Sequence, residues 1–205
     1  MKLTGRWLAM GSVGLVLLAG CTQEPASAAA TVSDAEISLQ EISDQLLAIN
    51  DVLGAPADAA NASFTNTVLT TNVLYELVEQ AAAAANVTVT ETAVDERLQD
   101  QIAFFGSREL LEQREAQAGV APDMIEVAIR AWLLAGELAA ELSGGTALPP
   151  EAQEQLLIVE LQRYSIDADT TVNPRFGVWD ANSLSIVADP DAPSAPPELG
   201  LIGFP

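Results

Sequence analysis

From residue 38 to residue 164 one kind of pattern recurs without any sequence repeat. Apolar side chains recur every three or four positions, fenced by capping residues in front and by glycine or proline behind. That spacing lays them along one face of an α-helix, so each stretch must bury that face against another. Ser38 with Glu41 forms a capping box, Leu39, Ile42, Leu46 and Ile49 follow, and Gly54 and Pro56 close the element. A second helix opens near Ser63, carries Phe64, Val68, Leu69, Val73, Leu77 and Val78, and runs through alanines to Ala85. After an extended link at residues 87–89, Thr90 caps a third helix bearing Val94, Leu98 and Ile102, which stops near Gly106. Ser107 opens a short fourth with Leu110 and Leu111, ended by Gly119.

Pro122 stands at a favoured first helical position. The helix it opens, with Met124, Ile125, Ile129, Trp132, Leu133, Leu138 and Leu142, is apolar around much of its circumference and is expected to be central. Pro150 begins the last helix, although residues 156–159 alone would also suit a strand. Residues 29–32 and 36–37 suit a strand pair turned at Ser33-Asp34, and residues 169–173 and 183–187 read as extended. The expected fold class is therefore mainly α, with five or six helices and short strands at the N- and C-terminal ends. The expected domain spans residues 31–187.

The two ends have a different character. Lys2 and Arg6 precede an uncharged apolar run at residues 7–19, the layout of an export signal and too short to span a bilayer, which needs about 20 residues. Leu18-Ala19-Gly20-Cys21 resembles a bacterial lipobox: small residues let a membrane peptidase reach the bond before a thiol that takes the lipid. Cleavage after Ala28 or Ala30 is the competing reading, since Ala26-Ser27-Ala28 also fits a small-x-small site. Residues 1–20 are thus expected to be a leader, Cys21 a lipid anchor at the extracytoplasmic face of the cell membrane, and residues 21–30 a tether. Residues 188–205, with Pro190, Pro193, Pro196, Pro197 and Pro205, are expected to be a tail without helix or central strand.

Charge and composition narrow the chemistry. All 29 acids lie beyond Cys21, against six arginines and no lysine there. Such a surface repels nucleic acid and anionic headgroups, so no nucleic-acid partner is expected and the membrane is met through the lipid. With no histidine and one cysteine, Ser-His-Asp and Cys-His catalysis and histidine metal sites are excluded. Asp167 and Asp169 begin a calcium-loop pattern that fails at Val172 and Val178. The remaining acids read as solvated helix surface, and neither enzyme activity nor a cofactor is expected.

Late in the chain comes a denser stretch, Asn173-Pro174-Arg175-Phe176-Gly177-Val178-Trp179-Asp180. Proline turns the chain out of the last helix, and glycine admits a backbone angle that other residues resist. Arg175 can stack on Phe176 or Trp179 or pair with an acid. The segment is expected to return to the N-terminal strand and plug the end of the core with Trp179; an exposed aromatic-arginine grip on clients is the alternative. Together with VTVTETAVDERL at residues 87–98, this stretch makes residues 29–181 resemble the SurA N-terminal-like lipoproteins, kin of the SurA and PrsA-type extracytoplasmic chaperones. The resemblance implies a chaperone-like role toward unfolded or newly exported proteins. Met124, Ile125, Ile129, Trp132 and Leu133 are the candidate client surface. The chain lacks room and the histidine for a parvulin domain, so no isomerase activity is implied. A scaffold lipoprotein that binds one envelope partner is the alternative.

Overall fold

The computed structural model describes residues 28–59 and 61–190. Leu18, Ala19, Gly20 and Cys21, with the leader, the first part of the tether and the tail beyond Pro190, lie outside the described residues. In chain order the elements are β1 (Ala28–Val32), β2 (Ala35–Ser38), α1 (Leu39–Leu53), α2 (Ala62–Ala84), α3 (Glu91–Phe105) and α4 (Arg108–Gln117). A 3-10 turn (Pro122–Met124) leads into α5 (Ile125–Leu142), followed by α6 (Pro150–Asp167), β3 (Thr171–Val172), β4 (Val178–Asp180) and β5 (Ser185–Val187). The fold is mainly helical, with six α-helices among the described residues and short antiparallel strands before and after them.

Local chemistry explains most boundaries. Ser38 accepts from the Glu41 N–H, Thr90 from Ala93 and Ser107 from Leu110, each satisfying a donor the helix cannot. Asn61 caps α2 by accepting from the Phe64 N–H at 2.9 Å, so that helix starts at Ala62, slightly ahead of Ser63. Gly54 and Gly106 end α1 and α3 in the left-handed region. Pro122 opens a 3-10 turn instead of the long helix, because the Met124 N–H reaches back three residues to the Ala121 carbonyl. The ambiguous apolar run at residues 156–159 is helical, carried inside α6.

Helix α5 is central as expected, packing on α2, α3 and α6 and contributing to both cores, and α2 is a second hub. Helix α2 meets α1, α5, α6 and the N-terminal strands, and Val68, Leu69, Val73, Leu77, Ala81 and Ala82 are buried along it. Its alanines let neighbouring backbones approach closely, whereas α5 leaves Trp132, Gly136 and Glu137 exposed. One polar pair is sealed between α1 and α2: the Gln45 and Asn72 amides exchange hydrogen bonds at 3.0 and 2.8 Å. Asn72 also donates to the Val68 carbonyl, so its amide nitrogen is satisfied within the core. A second, smaller core joins Val94 and Leu98 of α3, Leu111 of α4, Val120, and Ile125 and Ile129 of α5.

The strands tie the two ends of the domain together. β1 lies between β2 and β3, and both pairings are antiparallel, with Ala30 opposite Val172 and Thr31 opposite Thr171. Ala28, Ala29 and Ala30 are buried in this sheet. Ala29 and Ala30 form strand as the 29–32 reading expected, so the tether ends before Ala28 and not at residue 30, and this strand packs against α2.

Candidate binding cleft

The closing motif buries Trp179 and leaves Pro174, Arg175 and Val178 exposed. The Asn173 backbone N–H donates to Ala29 O at 2.9 Å, and its side-chain amide donates to Ala28 O at 3.0 Å. Pro174 then turns the chain, and the Phe176 N–H closes the turn on Asn173 O. Of the options open to Arg175, stacking on Phe176 is the one adopted, with the guanidinium carbon 4.7 Å from the ring centre. Gly177 has φ +122°, and a Cβ there would collide with the Val187 carbonyl oxygen. Only β3 and Asn173 return to the N-terminal strand. β4, which carries Trp179, pairs with β5 instead, because Gly177 lets that hairpin close. Trp179 is buried and donates from Nε1 to Ser165 Oγ. Asp180 holds the hairpin turn, accepting from Asn182 and Ser183, and the Ser183 hydroxyl is the main cause of its lowered pKa.

The candidate client residues divide between interior and surface. Ile125 and Ile129 are 1% and 3% exposed, so they are core and not outer surface. The cause is their spacing, one helical turn apart on the face that α5 presents to α3 and α4. Met124 and Leu133 are half-buried, while Trp132 is 60% exposed.

Ile125, Ile129 and Trp132 nevertheless line one feature, an open cleft of about 400 Å³. α5 supplies half of its lining residues, adding Ala128, Ala131 and Ala135 to those three. α2 contributes Leu74, Tyr75 and Val78, and α6 adds Leu161. The cleft stays open because half of the α5 side chains lining it are alanines, which leave space between the helices unfilled. Its volume falls in the range of small-ligand and side-chain pockets, about 300–1,000 Å³. Trp132 and Ala135 also border a groove of about 560 Å³ between α5 and α6, beside Leu133, Gly136 and Leu157. On the other side a recess of about 780 Å³ shares Gln101 and Glu115 with the cleft and is edged by Phe104, itself 83% exposed. The three depressions therefore adjoin.

Polar groups in the cleft are few and specific. Tyr75 of α2, Gln101 of α3 and Glu115 of α4 line it. Burial raises the Glu115 carboxyl above the usual carboxylate range, against a smaller opposing pull from Arg114. Burial, helped by the Glu115 charge, pushes the Tyr75 phenol up to about 12. Tyr75 thus keeps its proton across the physiological range. Arg97 lies 4.5 Å from the Trp132 ring centre, and its Nε is buried without a hydrogen-bond partner. Reading the acids as solvated surface fails for Glu115, which is half-buried at the cleft. Neither Tyr75 nor Gln101 was marked by the apolar pattern. The only trace of them in sequence is the one-turn relation of Leu74 to Val78, with Tyr75 beside them.

Fold and cleft together define a mainly helical domain with an open apolar groove and no metal-holding cluster of acids among the described residues. The chain matches no family model, no curated protein and no solved structure.

Proposed function

We propose that this protein is a lipid-anchored, extracytoplasmic holding protein that shelters apolar segments of newly exported polypeptides and performs no catalytic step. The observation that carries the reading is the open apolar cleft continuous with exposed Trp132 and the α5–α6 groove. Monomeric proteins seldom leave adjoining apolar surface of this kind without using it. Each apolar side chain buried from water contributes about 1.5–3 kcal/mol, while association costs at least about 4 kcal/mol. A segment inserting two or three side chains would therefore bind weakly and reversibly, as holding requires.

The address rests on the leader and Cys21. The buried position of Ala29 and Ala30 supports processing at Cys21, since cleavage after Ala30 would remove the start of β1, including the partner of Val172 and the Ala29 carbonyl that accepts from Asn173. The resemblance to SurA N-terminal-like lipoproteins supports the same reading. Among the described residues no helix is long and apolar enough to cross a membrane.

The central test is aggregation of a reduced, unfolding model substrate with and without residues 22–205, whose buried cores are built from residues 28–190. Suppression near one-to-one stoichiometry is expected; folded protein that leaves aggregation unchanged overturns the reading. For the anchor, labelled fatty acid should enter the wild-type chain in its host and be absent from Cys21→Ser.

A further inference from the structure

We propose that Glu115, Tyr75 and Gln101 form a receptor for a cationic group, so that the segment the cleft takes is apolar and carries a lysine or arginine within its apolar run. The proposal rests on the holding reading and adds the chemical class of the guest.

Three observations converge on it. First, none of these three side chains makes a hydrogen bond or ion pair with another described residue, although all line an otherwise apolar cleft. Burial outweighs the pull of Arg114 on the half-buried Glu115, so a wholly apolar guest leaves this carboxylate desolvated, whereas a cationic one supplies the ion pair it lacks. An ammonium or guanidinium satisfies it, with the Gln101 carbonyl and the Tyr75 oxygen as further acceptors.

Second, two of the nearby cations have partners of their own. Arg97 lies on Trp132, and Arg130 is paired with Glu91 at 2.6 Å. Arg114 and Asp100 edge the adjoining recess, and the influence of Arg114 on Glu115 is smaller than that of burial. Third, 29 acids against six arginines beyond Cys21 leave a long-range field that gathers cationic chains and repels acidic ones. The geometry suits a lysine: its aliphatic stem can lie along Val78 and Ile129 while its head reaches Glu115.

The test uses three fluorescently labelled peptides that share one apolar run and differ at a central lysine, glutamine or glutamate. Binding to residues 22–205 is followed by anisotropy. The lysine peptide should bind about tenfold tighter than the glutamine peptide, and the glutamate peptide weakest. Glu115→Gln should erase the lysine preference, read as the ratio of the lysine to the glutamine peptide's affinity, and Gln101→Leu should weaken that ratio in a second, independent background. Circular dichroism checks that both variants are folded. Equal binding of the three peptides overturns the cation receptor and leaves the holding reading standing. A lysine preference that survives Glu115→Gln assigns it to general acidity and also overturns the receptor. If no peptide binds, both readings fall.

Discussion

The indole Nε1 of Trp179 donates to Ser165 Oγ at 2.7 Å, and both residues are buried. The bond fastens β4 to the end of α6, fourteen residues back along the chain, and closes the main core at that end. Trp179→Phe keeps most of the packing but leaves the serine hydroxyl without this donor, at a cost of about 1–3 kcal/mol. Trp179→Ala also opens a cavity and should cost about 3–5 kcal/mol. Urea unfolding followed by circular dichroism measures both, and a loss under 0.5 kcal/mol for the alanine variant would show that the motif closes nothing.

Gly177 sets the path into the same hairpin. Its φ of +122° and the Val187 carbonyl facing it leave no place for a side chain. Gly177→Ala should destabilise by more than about 1 kcal/mol, chiefly through loss of the β4–β5 pairing. Hydrogen exchange at Trp179 and Ile186 should accelerate before exchange in α2 does.

Cleft filling separates binding from stability. Ala128 is half-buried on the cleft wall, so Ala128→Phe can project into open space without crowding the core. Its melting temperature should stay near wild type while aggregation suppression falls at least several-fold. A fully active Ala128→Phe protein would move the holding surface elsewhere.

Trp132 offers the complementary variant. It is 60% exposed, and its main intramolecular tie is to Arg97. Trp132→Ala should change stability by no more than about 1 kcal/mol, the scale of an exposed cation–π contact. Client binding should weaken by more than that. Titration of the variant with an apolar peptide checks the difference.

Glu115 gives stability a pH signature. Its folded pKa is raised by burial above the ordinary value of 4.5. The native state therefore holds its proton to higher pH than the unfolded state, and this residue's contribution to stability falls as pH rises between those two values. Glu115→Gln removes that loss. The variant should melt higher than wild type at neutral pH, and the gap should close as pH falls below the ordinary carboxylate value. Thermal melts from about pH 3 to about pH 7, which bracket the ordinary glutamate range, test the sign.

Much of the architecture was legible beforehand because its signals are local. Ser38, Thr90 and Ser107 cap the helices they were expected to cap, and Gly54 and Gly106 end them, since a cap involves only the next turn of backbone. The candidate site was less legible. Tyr75, Gln101 and Glu115 belong to three different helices, and nothing in their neighbourhoods along the chain announces that they meet.

Ile129 and Trp132 mark where the two kinds of information part. Spacing and capping alone established that both ride one helix, that the fold is mainly α and that strands flank it. Which of the two would be buried depended on what lies across from each. α3 and α4 close over Ile129, whereas Trp132, less than a turn further on, meets a gap left by alanines. Burial is a property of the opposing surface, and that surface comes from segments distant in the chain, brought opposite α5 by packing that no local pattern encodes.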